Sequence, residues 1–305
     1  MAAVLDFIGS IFGYILWFFF DLFDNYGLAI LCFSIMIRIL FFPMTLKGRV
    51  ASAKSAKTLS KQNAIRKMYK NNPQKQTEEI NKLLEKEGAN AGFGSSFQSI
   101  FQLISVFGIF RAIVKPLTNM FHFKSDKVAT AIAKLPSIAN NALPLIKGYD
   151  QLNIVKCAPN NSSVFDMFNE SEMSDILDFN KGFNFLGIDL SLTPKGSPLL
   201  SAVWLFPLFC LLSSILLAVI NQKLGSMKDM PGCFKIIPYV TAIPFIFITI
   251  NAPIAVGFYN LVTNMVLILE TVVIHKFFSP KKLIAKEEAA RISRLLIEEG
   301  NVKPK

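Results

Sequence analysis

YGLAILCFSIMIRILFFPMTLK, running from Tyr26 to Lys47, is an apolar stretch that holds one guanidinium in its interior and no carboxylate. A charge at the centre of a membrane helix costs at least about 2.5–3.5 kcal/mol on insertion scales. Arg38 stands eleven residues beyond Gly27 and nine before Lys47. At ~1.5 Å per residue the gap to Lys47 is ~13 Å. A snorkelling arginine side chain covers roughly half of that. The stretch therefore reads as a membrane helix whose arginine points into a wet cavity within the bilayer. The competing reading is partial snorkelling with local thinning of the bilayer.

Composition around this stretch agrees with a membrane protein. The 305 residues are 52% hydrophobic with 29 Phe, and mean hydropathy is +0.44. The expected fold is all-α: a polytopic membrane protein with five transmembrane helices at 25–45, 96–117, 199–220, 236–250 and 252–274. The fourth run is short and carries Pro238 and Pro244, kinks that neighbouring helices or water can satisfy. Asn251-Ala252-Pro253 reads as a tight turn joining the last two helices into a hairpin.

Charge sets the orientation. The first 37 residues contain no Lys or Arg, whereas residues 45–95 carry eleven against four Glu. The short loop at 221–235 and the tail at 275–305 are basic as well. By the positive-inside rule these three segments are cytoplasmic, and five spans then put the N-terminus and residues 118–198 outside. Residues 46–95 read as a basic cytoplasmic helical hairpin, broken at Asn71-Asn72-Pro73 and ending at Gly88. A solvated basic linker is the plainer reading of the same segment. Residues 1–24 are expected to lie at the outer interface as an amphipathic helix, with Asp6, Asp21 and Asp24 toward water. A sixth span is the alternative there, and the missing basic n-region argues against a signal peptide.

Polar residues recur inside the other spans. Gln98, Gln102 and Ser105 keep i, i+4, i+7 spacing, hence one helical face. The last span holds Asn260, Asn264 and Glu270. With Arg38 these describe a hydrophilic groove open to the cytoplasm, although each amide alone is explained by helix–helix hydrogen bonding. Glu270 is also a candidate partner for Arg38, which would lower its desolvation cost. The sequence leaves that pairing open.

Several segments resemble a known family. Asn25 to Ile30, Ile37 to Pro43 with Arg38, and Lys47 resemble the first span and groove arginine of the YidC-type membrane protein insertases. Lys67 to Lys70 and Leu83 to Asn90 are similar to that family's cytoplasmic hairpin and the start of its second span. Gln102, Phe110 to Ile113, Pro253, Gly257 to Tyr259 and Asn264 resemble the second span and last hairpin; Glu270 stands where a Gln is more usual. With no large outer domain ahead of the first span, the resemblance is to the short type of Gram-positive bacteria. It implies a multi-pass protein of the bacterial plasma membrane that inserts and helps fold nascent membrane proteins. Implied partners are those substrates, the Sec translocon, the ribosome and anionic lipids. No cofactor is expected, since no Gly-rich phosphate loop, paired carboxylates or metal-ligand cluster is visible. The rival reading is a small polytopic transporter or channel with an intramembrane polar site, against which the lack of internal repeats counts.

Overall fold

A computed structural model of the chain describes residues 2–86, 108–139, 145–146, 148–224 and 232–301. Its long helices are α1 (Ala2–Phe23), α2 (Tyr26–Met68), α3 (Pro73–Lys86), α9 (Leu205–Lys223), α10 (Gly232–Asn251), α11 (Ile254–Phe277) and α12 (Pro280–Asn301). Between α3 and α9 lie the described part of α4 (residues 108–114), α5 (Pro116–Asn119), α6 (Ser125–Ala139), α7 (Asp150–Cys157) and α8 (Glu170–Gly182). The expected all-α polytopic architecture is present. Among the described residues, four helical segments are long and apolar enough to cross a membrane: Asp6–Phe23, Tyr26–Val50, Ala202–Lys223 and Ile254–Phe277. Their outward faces are bare hydrocarbon, as at Leu208, Leu212 and Leu216 of α9. Exposed apolar faces of this kind belong in lipid.

Helix bounds differ from the expected ones in two places. α2 does not stop at residue 45 but runs unbroken to Met68, carrying Pro43 in its interior. A membrane helix tolerates a proline whose freed carbonyl finds another donor, and the following Ala and Lys residues are good helix formers. The third span starts as α-helix only at Leu205, because Pro198 leads into a short 3-10 turn at Ala202–Trp204. Within the tail, Pro280–Asn301 is helical. The expected second span falls mostly outside the described residues. Its described end breaks at Lys115, where Pro116 starts α5.

The chain divides into two compact units. Unit 1 comprises Met1–Ile39, Phe101–Ile215 and Pro238–Val266. Its core is an aromatic cluster in which Phe179 of α8 meets Phe20, Tyr26, Phe121 and Phe183 at ring-centroid distances of 4.7–5.2 Å. Tyr26, Phe179 and Phe183 are fully buried. Offset and edge-on aromatic contacts add to the area they bury. α8 begins with a capping box: Asn169 accepts from the Glu172 amide, and the Glu172 carboxylate accepts from the Asn169 amide. The described residues of 118–198 are thus largely helical and share this core with Phe20 of α1 and Tyr26 of α2.

A small hairpin, β1 (Asn184–Phe185) and β2 (Ile188–Asp189), pairs Asn184 with Asp189 and Phe185 with Ile188. Leu186 and Gly187 turn it with φ of 52° and 80°, which is the conformation of a two-residue hairpin loop. The segment after it serves α11. The carbonyls of Leu190 and Leu192 accept from the amides of Ala255 and Ile254 at 2.9 and 2.8 Å. These amides open α11 and have no intrahelical partner, so the strap caps the helix.

Unit 2 comprises Leu40–Ile100, Leu216–Ile237 and Leu267–Lys305. There Asn72 accepts from the Lys75 amide at 3.1 Å and Pro73 fills the first helical position of α3. The Gln76 side chain donates to the Arg66 carbonyl at 3.1 Å, joining α3 back to α2. Gln222 donates to the Lys235 carbonyl at 2.8 Å, linking α9 with α10.

Candidate functional site

Arg38 lies in unit 1, on the α2 turn where Phe33 and Ile37 are buried while Ile35 and Ile39 are exposed. It is half-buried, at the border between the packed and the lipid-facing sides of the helix. The polar Ser34 beside it is satisfied locally, donating to the Ile30 carbonyl at 2.7 Å. The charge of Arg38 bears on the phenol of Tyr259 in α11, which is hydrogen-bonded to the Thr263 side chain one turn on. Tyr259 and Thr263 are both buried. This is a cation whose field reaches a buried phenol–hydroxyl pair of α11. The guanidinium gives a carboxylate both an opposite charge and hydrogen-bond donors.

A second polar feature of unit 1 is the seam between α9 and α11. Asn264 donates from Nδ2 to the hydroxyls of Ser213 and Ser214, each at 3.0 Å. Those hydroxyls donate in turn to the Cys210 carbonyl at 2.9 and 2.8 Å. The Cys210 thiol donates to the Gly257 carbonyl at 3.1 Å and is also hydrogen-bonded to the Asn260 side chain. Small residues allow this close approach, and the amides act as glue in a medium without water. Asn264 is buried and its donors are engaged. Asn260 stays half-buried.

Unit 2 holds a polar node that the sequence reading did not single out. Arg49 of α2 is buried, 9% exposed, and donates from Nη2 to Thr271 Oγ1 at 2.6 Å. Thr271 hydrogen-bonds with the Leu267 carbonyl at 2.8 Å and Asn221 Oδ1 at 3.3 Å. Its single proton favours the shorter contact. Glu270 lies next to Thr271, is 7% exposed, and its charge acts on Arg49. In sequence Arg49 looks like one more lysine-rich hairpin residue. No nearby residue in the sequence signals its burial.

Of the expected site residues, then, Arg38, Asn260 and Asn264 belong to unit 1 and Glu270 to unit 2. Gln98, Gln102 and Ser105 lie outside the described residues. Among the described residues no group of three or more His, Cys, Asp or Glu could hold a metal ion.

A family model described as 60Kd inner membrane protein matches residues 18–282. Individual relatives match over shorter stretches. A protein of Treponema denticola named Membrane protein insertase YidC is 31% identical over 106 residues, which is 35% of this chain and 17% of that protein. Proteins of the same name are 34% identical over 89 residues in Wolinella succinogenes and 32% over 103 residues in Helicobacter pylori. These cover 29% and 34% of this chain, and 16% and 18% of the relatives. The matched stretch is thus under one fifth of each relative's length. No solved structure matches.

Proposed function

The chain belongs to the 60Kd inner membrane protein family, is a multi-pass bacterial plasma membrane protein, and on that footing we propose that it is a membrane protein insertase. The observation that carries this reading is Arg38, a half-buried guanidinium within an apolar span. A fixed cation at that depth lowers the cost of bringing the acidic, hydrophilic end of an incoming chain partway into the bilayer. The apolar segment that follows leaves along the exposed hydrocarbon of α9 and α11 into lipid. Its driving force is ~25 cal/mol per Å² of apolar surface removed from water. No bond is made or broken, and no nucleotide is called for. Gln98, Gln102 and Ser105, whose spacing puts them on one helical face, are assigned to the same groove in this reading.

Charge distribution supports the orientation proposed from sequence. Unit 1 carries ten Lys and Arg against eleven Asp and Glu, whereas unit 2 carries 22 against ten. Unit 2, with α3, the 221–235 loop and α12, therefore carries the cytoplasmic segments. Its basic surface suits anionic lipid headgroups and ribosomal RNA. The Sec translocon fits as a partner that hands over longer substrates. The test is depletion and rescue: bacterial cells emptied of their own insertase should recover membrane integration of a small single-span protein when this chain is expressed. Loss of integration despite normal accumulation of the chain in the membrane would rule the function out.

A further inference from the structure

Two tight turns at the beginnings of the spans carry side chains that turns ordinarily avoid. The first is the tip of the β1–β2 hairpin, where Leu186 holds a φ of 52° beside Gly187 and is 86% exposed. The second closes through the Ser201 amide, which donates to the Pro198 carbonyl at 2.9 Å and leaves Leu199 and Leu200 at its centre. Leu199 is 80% exposed and Leu200 wholly so. Turn centres in water favour Gly, Pro, Asn, Asp and Ser, and a bulky residue at positive φ is strained. A single exposed leucine needs no explanation. Leucine at three of the four central positions of two turns does.

Both turns are tied to the first residues of membrane helices. The Asn25 side chain donates to the Asn184 carbonyl at 2.9 Å, just ahead of α2. Phe185 lies against Gly27 of α2, where a Cβ would overlap its ring, and meets Phe258 of α11 at a centroid distance of 5.1 Å. The second turn runs into α9: the Trp204 indole donates to the Ser197 carbonyl at 3.5 Å, and the helix starts at Leu205. From Leu205 the exposed hydrocarbon continues through Leu208 and Phe209. All of these residues lie in unit 1. The leucines therefore stand where the spans leave the bilayer, and Leu199 and Leu200 prolong the lipid-facing surface of α9.

We propose that the two turns are a lipid anchor: Leu186, Leu199 and Leu200 enter the boundary between headgroups and acyl chains of the leaflet at this end of the spans. That leaflet is the outer one in the orientation proposed above. Apolar area withdrawn from water there offsets the strain at Leu186. The anchor holds the β1–β2 hairpin and the lead into α9 against the membrane, and with them the beginnings of α2 and α11.

The experiment uses the full chain in phospholipid vesicles with its two tryptophans removed by Trp17→Phe and Trp204→Phe. Leu186→Trp or Leu200→Trp is then added as the single fluorophore. Anchored side chains lie ~5–10 Å beneath the headgroups. Emission of both variants should shift to shorter wavelength, and it should be lost to lipids brominated near the headgroup more than to aqueous iodide. Where Leu186→Trp does not accumulate, Leu200→Trp decides. Quenching by iodide as strong as for free tryptophan amide, with bromolipid without effect, would overturn the proposal. Protection from both quenchers would overturn it as well, since a protein partner would then cover the turns. The readout needs no substrate, so either failure leaves the insertase reading standing.

Discussion

The amide of Asn264 donates to the hydroxyl of Ser213 at 3.0 Å, fastening the middle of α11 to α9. This bond competes with other partners that the helices find when separated in lipid, so its net worth is small. In a double-mutant cycle on detergent-solubilised protein, Asn264→Ala and Ser213→Ala should couple by about 0.6 kcal/mol and by no more than ~1.7 kcal/mol. A larger coupling would mean that the seam is not ordinary helix–helix bonding.

Gly13 lets α1 pack directly on the backbone at Asn119, where a Cβ would overlap the carbonyl. Asp6 adds ion pairs from the same helix to Arg111 at 3.4 Å and Lys115 at 3.6 Å. Gly13→Val should cost about 1–3 kcal/mol, the usual penalty for overpacking a filled contact. Limited proteolysis in membranes should show faster cleavage within residues 116–198, with accumulation of the chain little changed. Protection equal to that of the wild type would show that α1 does not brace this region.

His122 stacks on Tyr14 with ring centroids 3.5 Å apart, and its Nδ1 meets the Ser10 hydroxyl at 3.3 Å. Burial holds its pKa below the ordinary value of 6.5. The neutral ring is therefore favoured when α1 is docked, and detachment takes up a proton at pH values below that of a free histidine. Docking is fully supported above about pH 6.5 and weakens as pH falls below it. Hydrogen exchange along α1 should quicken between pH 7 and pH 5 in the wild type. His122→Asn should remove most of that pH dependence.

Much of this was legible in the sequence because a membrane reduces the choices open to a chain. The apolar runs holding α2, α9 and α11 announce themselves by length, and Pro73 marks the start of α3. Arg38 was legible for the same reason, as a charge that lipid penalises. What sequence did not disclose depends on distant partners. Arg49 gains its place from Thr271, 222 residues away, and nothing near it signals burial. The cluster around Phe179 draws Phe20, Tyr26 and Phe121 from separate segments, so this core has no local signature in the sequence. The continuity of α2 past residue 45 was obscured by the change from apolar to lysine-rich composition, which alters the solvent and leaves helix propensity intact.

The central claim is that the charge of Arg38 receives the hydrophilic end of a substrate. It is tested most directly by measuring insertion of a small single-span protein with an acidic translocated tail in insertase-depleted cells carrying Arg38→Ala or Arg38→Lys. Loss of the charge should slow insertion roughly tenfold, equivalent to about 1.4 kcal/mol, while Arg38→Lys should retain most of the wild-type rate. Insertion by Arg38→Ala at the wild-type rate, from protein present at the wild-type level, would contradict it.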